Sequence, residues 1–150
     1  MFVASTAPAA TERKPEKPAV LVVDDEYGPR ESIAFTLGRE FNVATADRGR
    51  LALEMIRETP YDTIILDIRM PEMDGIEATA HIRQHMQPPV QQVPVILLTA
   101  NVNAQDHLRG LRAGINALMV KPFDRSKLCA LIEEQLLSSA TFLQRLAQER

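Results

Sequence analysis

The sequence predicts an α/β domain: a doubly wound, five-stranded parallel sheet in the order 2-1-3-4-5. Two observations carry this. Short apolar, β-branched runs alternate five times with segments at helical spacing, the pattern of parallel strands joined by right-handed helical crossovers. The run Ala19-Val20-Leu21-Val22-Val23 is apolar throughout, whereas Asn42-Val43-Ala44-Thr45 is weak. A strand covered on both faces reads as the first of these and an edge strand as the second. That contrast puts the switch point of the sheet between strands one and three.

The elements follow in chain order. Residues 1–18, with Pro8, Pro15 and Pro18 among Ala, Thr, Glu and Lys, bury too little to order themselves and read as a flexible tail. After the first strand, Ile33, Leu37 and Phe41 predict a helix over about 28–40. The second helix, about 48–58, turns Leu51 and Met55 inward, with Ala52 and Ile56 beside them, and Pro60 ends it. Thr63–Leu66 is the third strand. A third helix follows Gly75 through Ile76, Thr79, Ala80 and Ile82, and the connector Gln87-Pro88-Pro89-Val90-Gln91-Gln92 stops it. Val93–Leu98 is the fourth strand, with Pro94 confined to its start. A fourth helix covers about 104–112, and Gly114 supplies the left-handed cap behind it. Ala117–Val120 is the fifth strand.

From Arg125 a helix runs on without a Gly or Pro stop to Arg150. About 12 residues, roughly 18 Å, suffice to cross a five-residue strand, so this helix outlasts the sheet. Leu136, Ser139, Leu143 and Leu146 continue at 3-4-3 spacing, either as a heptad seam or as an amphipathic tail. The expected division is a tail (1–18), one folded unit (19–137) and a helical extension (138–150) that serves as linker or coiled coil.

Composition narrows the function classes. At 150 residues, 45% hydrophobic and 25% charged, the chain is of ordinary globular type with room for one core. A net charge of −3 argues against direct nucleic-acid binding by this segment. No apolar run approaches the roughly 20 residues that span a bilayer. The start MFVASTAPAA lacks the basic and apolar regions of a signal peptide. The single cysteine, Cys129, excludes an internal disulfide and fits a reducing cytoplasm, where it reads as a small apolar core residue.

The residues at the end of each buried strand point to chemistry. Strand one runs into Asp24-Asp25-Glu26, strand three into Asp67, strand four into Thr99-Ala100 and strand five into Lys121-Pro122. In a parallel sheet these ends share one rim. Each residue has a plain structural reading: Asp25 or Glu26 as a helix cap, Asp67 as a strand terminator, Thr99 in a loop, Lys121 as a solvated charge. Together those readings fail, because clustered carboxylates destabilise a fold unless something cationic compensates. A few hard oxygen ligands suit Mg²⁺. A carboxylate beside such an ion can act as nucleophile and form an acyl phosphate. The pair Asp24-Asp25 is the better metal holder and the lone Asp67 the better acceptor. Lys121 and Thr99 are placed to meet phosphoryl oxygens.

The motifs Val22-Val23-Asp24-Asp25-Glu26, Leu66-Asp67-Ile68-Arg69-Met70-Pro71-Glu72-Met73-Asp74-Gly75, Leu98-Thr99-Ala100 and Lys121-Pro122-Phe123, in this order and spacing over 19–137, resemble the receiver domain of two-component response regulators. The resemblance implies the flavodoxin-like receiver fold and phosphotransfer to Asp67 from a phosphohistidine on a sensor kinase or phosphotransfer protein. It implies Mg²⁺ held by Asp24 or Asp25, Asp67 and the backbone carbonyl of Arg69, phosphoryl contacts from Thr99, Ala100 and Lys121, and a cis Lys121-Pro122 peptide. It implies a signalling module rather than a turnover enzyme on a separate substrate.

The sequence departs from the family pattern at Leu118, where most receivers carry the aromatic residue of a threonine–aromatic switch. Leucine has neither ring nor hydroxyl to couple to Thr99. Arg69 and Asn101, two residues after the acceptor and the threonine, take positions that in the family tune phosphoryl lifetime. Output is expected as a shift in a two-state equilibrium at the fourth helix, fifth strand and last helix, with homodimerisation through that face or through the C-terminal helix. Two rival readings remain. One is a Mg²⁺-dependent aspartyl-phosphate phosphohydrolase, which would want an aspartate where Arg69 stands; the other is an unphosphorylated interaction module on the same fold. His81 and His85 are four apart on the third helix but read as solvated surface, and Met70 and Met73 as gap-fillers.

Overall fold

The structure, a computed structural model, describes residues 17–101 and 103–148, without the side chain of Thr141. The expected tail lies outside the described residues except for Lys17 and Pro18. Those two already run beside the second strand, where Asn42 donates its backbone N–H to Pro18 and its side-chain amide to Lys17.

Five strands, β1 (Ala19–Val23), β2 (Asn42–Ala46), β3 (Thr63–Asp67), β4 (Val95–Thr99) and β5 (Ala117–Val120), form one parallel sheet in the order 2-1-3-4-5. The helices are α1 (Tyr27–Leu37), α2 (Gly49–Glu58), α3 (Gly75–His85), α4 (Ala104–Ala113), α5 (Arg125–Leu137) and α6 (Ala140–Gln148). Every residue of β3 and β4 is buried, because these strands lie inside the sheet with helices on both faces. β1 is open only at Ala19, and β2 and β5, the two edges, are only partly covered.

Side chains alternate between two cores, as the strand period requires. Leu21, Val23, Ile64, Leu66, Val95 and Leu97 meet Leu53 and Ile56 of α2 and Ala78 and Ile82 of α3. Val20, Val22, Ile65, Ile96 and Leu98 meet Ile33 and Leu37 of α1 and Leu128 and Ile132 of α5.

Three local expectations are corrected. β4 begins at Val95 rather than Val93, since the Val93 N–H closes the preceding turn on the Val90 carbonyl and Pro94 has no N–H to give a ladder. On α2 the fully buried stripe is Ala52, Leu53 and Ile56, while Leu51 and Met55 are half-buried at its margin. The helix is thus rotated by about one position from the expected orientation. The expected single C-terminal helix is two: α5 stops at Leu137, and Ser138 and Ser139 turn the chain. α6 then folds back, burying Phe142 and half-burying Leu146 against the α1–α5 layer. The Arg145 guanidinium reaches the buried carboxylate of Asp62 at 2.7 Å, and that carboxylate also accepts the Ala19 N–H at 2.7 Å. The seam residues therefore do not share one stripe: Leu136 is buried and Leu143 is 44% exposed. Gly114 takes the left-handed cap as expected, with φ 105°.

Arg83, which the sequence does not single out, pins the far pole of the sheet. Its guanidinium donates to the carbonyls of Gln91, Val93 and Gly114 and to Asn116 Oδ1, at 2.7–3.0 Å. Arg83→Ala leaves several of these acceptors without a protein donor, and we expect a loss of about 2–4 kcal/mol in urea unfolding. A midpoint unchanged from the parent would refute that role.

Candidate functional site

The site forms where β1, β3, β4 and β5 end on one rim. β1 and β3 are hydrogen-bonded neighbours, Val23 against Leu66, so Asp24 and Asp67 leave the sheet side by side. Lys121 is set beside Thr99 by its own N–H, which donates to the Thr99 carbonyl at 2.7 Å. Its peptide bond to Pro122 is cis.

One carboxylate oxygen from each of Asp24, Asp25 and Asp67 lies within 4.8 Å of the others. Lys121 Nζ sits 3.0 Å from Asp67 Oδ1 and 3.2 Å from Asp24 Oδ2. Asp24 is 1% exposed and Asp67 8%, whereas Asp25 is open to solvent with no hydrogen bond or ion pair among the described residues. Neither Asp25 nor Glu26 caps α1 with its side chain: the N-cap position is Glu26, and it makes no side-chain capping bond. Asp24 Oδ1 accepts the Glu26 N–H at 3.0 Å, which fixes its carboxylate in place.

The electrostatics follow from burial. Desolvation raises the Asp67 pKa above the ordinary carboxylate value; Lys121 opposes this, while Asp24 and Asp25 add to it. Burial alone would lower the Lys121 pKa, but hydrogen bonding and charge from Asp67 and Asp24 outweigh it and hold the ammonium above its usual value. The rim thus carries a surplus of negative charge that a single lysine does not neutralise. The donor set, three carboxylates with one side open to water, fits a hard divalent cation.

Thr99 is buried at 3% exposure. Its hydroxyl is engaged with the next loop, donating to the Asn101 carbonyl at 2.8 Å and accepting the Asn101 N–H at 3.1 Å. Ala100 and Asn101 are exposed, and Leu118 is half-buried against the α2–α3 core. Arg69 lies at the mouth, 63% exposed in its side chain, and pairs with Asp106 of α4. Asp106 is buried, joined also by Asn103 Nδ2 at 3.0 Å and Arg109 Nη1 at 3.3 Å. Sequence reading missed this residue. An acid in the first turn of a helix is ordinary, and only the fold reveals that it is buried against Arg69. His81 and His85 lie away from the rim; their rings are 4.8 Å apart, and Arg57 meets His81 Nε2 at 2.8 Å. Met70 is buried and Met73 half-buried in the core beneath the loop.

The fold and this rim define a class: α/β modules with an acidic, lysine-bridged pocket at the carboxyl ends of the strands. The model of the response regulator receiver domain matches residues 20–133, and the chain belongs to that family. It is 38% identical over 119 residues to the regulatory protein AtoC of Escherichia coli K12, covering 78% of this chain and 25% of AtoC. The chain therefore spans about a quarter of that relative's length. The Vibrio cholerae chemotaxis protein CheY4 matches with TM-score 0.74 and 31% identity, covering 79% of this chain and 98% of that one. The receiver domain of the sensor histidine kinase PA1611 from Pseudomonas aeruginosa PAO1, solved with magnesium in its active-site cleft, matches with TM-score 0.73 and 32% identity, covering 79% and 97%. α6 lies beyond the family match. No helix among the described residues is long and apolar enough to cross a membrane.

Proposed function

We propose that Asp67 is the phosphoacceptor of a two-component signalling pathway, taking a phosphoryl group from a phosphohistidine of a sensor kinase or phosphotransfer protein in the cytoplasm. The observation that carries this is the bridging of Asp24 and Asp67 by Lys121 Nζ, with Asp25 free beside them. One Asp67 oxygen attacks phosphorus in line; the P–N bond breaks and its electron pair returns to the imidazole, which then takes a proton. Lys121 orients the attacking carboxylate and neutralises charge on the phosphoryl oxygens. Asp24 holds Lys121 in place. Thr99 can turn its hydroxyl from the Asn101 carbonyl to a phosphoryl oxygen. Asn101 and Arg69, flanking the mouth, would set how readily water reaches the acyl phosphate. Asp24, Asp25, Asp67 and the Arg69 backbone carbonyl would hold Mg²⁺, which supplies further positive charge to the transferring group.

Arg69 in place of a second aspartate, together with family membership, favours the phosphoacceptor over a phosphohydrolase. For output, α4 presents Leu108 (47% exposed) and Leu111 (56%), and β5 presents Val120 (41%). On α6, by contrast, Phe142 and Leu146 are spent inside the domain and Leu143 (44%) is the one large apolar side chain left open among the described residues. We therefore favour the α4–β5–α5 face over the C-terminal helix for contact with a partner or a second copy.

The test is Mg²⁺ itself. At a concentration 100-fold above Kd, mass action stabilises the fold by about 2.7 kcal/mol, a rise of roughly 10 °C in Tm. Asp25→Asn should remove most of that gain, and labelling by acetyl phosphate should require the metal. Equal melting with and without Mg²⁺, and labelling that persists in chelator, would overturn the assignment.

A further inference from the structure

Two guanidinium groups and two carboxylates alternate across the gap between the acceptor loop and α4. Arg69 pairs with Asp106, Asp106 with Arg109 at 3.3 Å, and Arg109 with Asp74 at 3.6 Å. Asp74 is the N-cap of α3, closed in a capping box with Glu77. Asn103, the N-cap of α4, accepts the Asp106 N–H at 2.7 Å. The start of α4 is therefore fixed to the loop that carries Asp67 through Arg69. The loop that leads to α4 is held at Asn101 to the end of β4 by the Thr99 hydroxyl.

Both ties use groups with a stronger claim elsewhere once a phosphoryl group arrives. A guanidinium pairs with phosphate in a two-point fork at least as well as with a carboxylate. Arg69 lies two residues from the acceptor and its side chain is largely exposed, so it is free to swing. Asp106 is buried and anchored by Asn103 and Arg109, so it cannot follow. Leu118, lacking a polar group, offers no comparable link on the β5 side.

We propose that Asp106 is a positioning residue that holds Arg69 on α4 while Asp67 is unmodified, and that phosphorylation transfers Arg69 to the phosphoryl group and frees the first turn of α4. This inference rests on Asp67 being the acceptor. By reciprocity, a change at Asp106 that weakens the pair and leaves Arg69 in place must tighten the hold on the phosphoryl group.

The experiment titrates the full chain in Mg²⁺ with beryllofluoride, an acyl-phosphate mimic. Asp106→Asn should bind it about fivefold or more tightly, the lower end of usual two-site coupling. The same substitution in an Arg69→Ala background should change nothing. Amide exchange in the first turn of α4 should quicken on beryllofluoride binding in the parent, and be already fast without it in Arg69→Ala, a substitution at an exposed position that keeps the fold testable. Unchanged or weaker binding by Asp106→Asn, or tightening that survives the loss of Arg69, would overturn the proposal while leaving Asp67 as acceptor. Failure of the parent itself to bind beryllofluoride would overturn the acceptor assignment, and this inference with it.

Discussion

Asp67→Asn should abolish phosphoryl incorporation from a cognate kinase and from acetyl phosphate alike. The substitution is nearly isosteric and keeps an oxygen facing Lys121, so loss of labelling reports on the nucleophile rather than on the fold. The amide cannot carry a negative charge to phosphorus. Asp24 accepts from the ammonium too, but it is 1% exposed and committed to the Glu26 N–H. A second effect of the substitution has the opposite sign. Burial raises the Asp67 pKa despite Lys121, so its ionised form is held at a cost in the folded state. That cost is present when pH exceeds the folded pKa and vanishes as pH falls below the unfolded one. In metal-free buffer at neutral pH, Asp67→Asn should therefore melt higher than the parent, and the difference should shrink on acidification. Undiminished labelling of this variant would remove Asp67 from its role.

Gly75→Ala should be the most damaging substitution outside the reacting groups. A Cβ at Gly75 would lie 2.4 Å from the Asp67 carbonyl oxygen and 3.1 Å from both the Asp67 carbonyl carbon and Leu97 Cδ2. The nearest atom is backbone and cannot rotate away, so either α3 must retreat or the acceptor's own peptide must shift. The Gly75 N–H bond to the Ile68 carbonyl, 2.9 Å, holds the helix in that tight position. We expect a loss of about 2–4 kcal/mol, near the upper end for overpacking. Phosphorylation should slow in the fraction that folds, because the displaced atoms are those of Asp67. Gly28→Ala is the control: its Cβ would meet nothing within 4 Å, and alanine is the better helix former by up to about 1 kcal/mol. Equal midpoints for Gly75→Ala and the parent would show that α3 yields freely.

The chemistry of the rim was legible because it is written at strand ends. In a parallel sheet, Asp24, Asp67, Thr99 and Lys121 need only come directly after their strands to converge, and the order 2-1-3-4-5 is set by which runs are apolar throughout. The left-handed Gly114 was equally local. The features that escaped were relational. Asp106 reads as an ordinary acid in a helix's first turn until packing places it, buried, against Arg69. Arg83 reads as a solvated charge until three carbonyls and Asn116 converge on it. The rotation of α2 onto Ala52, Leu53 and Ile56 depends on how the helix meets the sheet, since Leu51 and Met55 are equally apolar candidates.

The C-terminus divides the two sources of information most sharply. By itself the sequence determined that the last segment is helical and amphipathic, since spacing and composition act within a few residues. Tertiary structure alone decided that this helix breaks at Ser138-Ser139 and returns to the domain. Phe142 gains a place in the α1–α5 core and Arg145 a buried partner in Asp62, 83 residues away in sequence. A periodic pattern shows which face of a helix is apolar; only the assembled fold shows what that face meets.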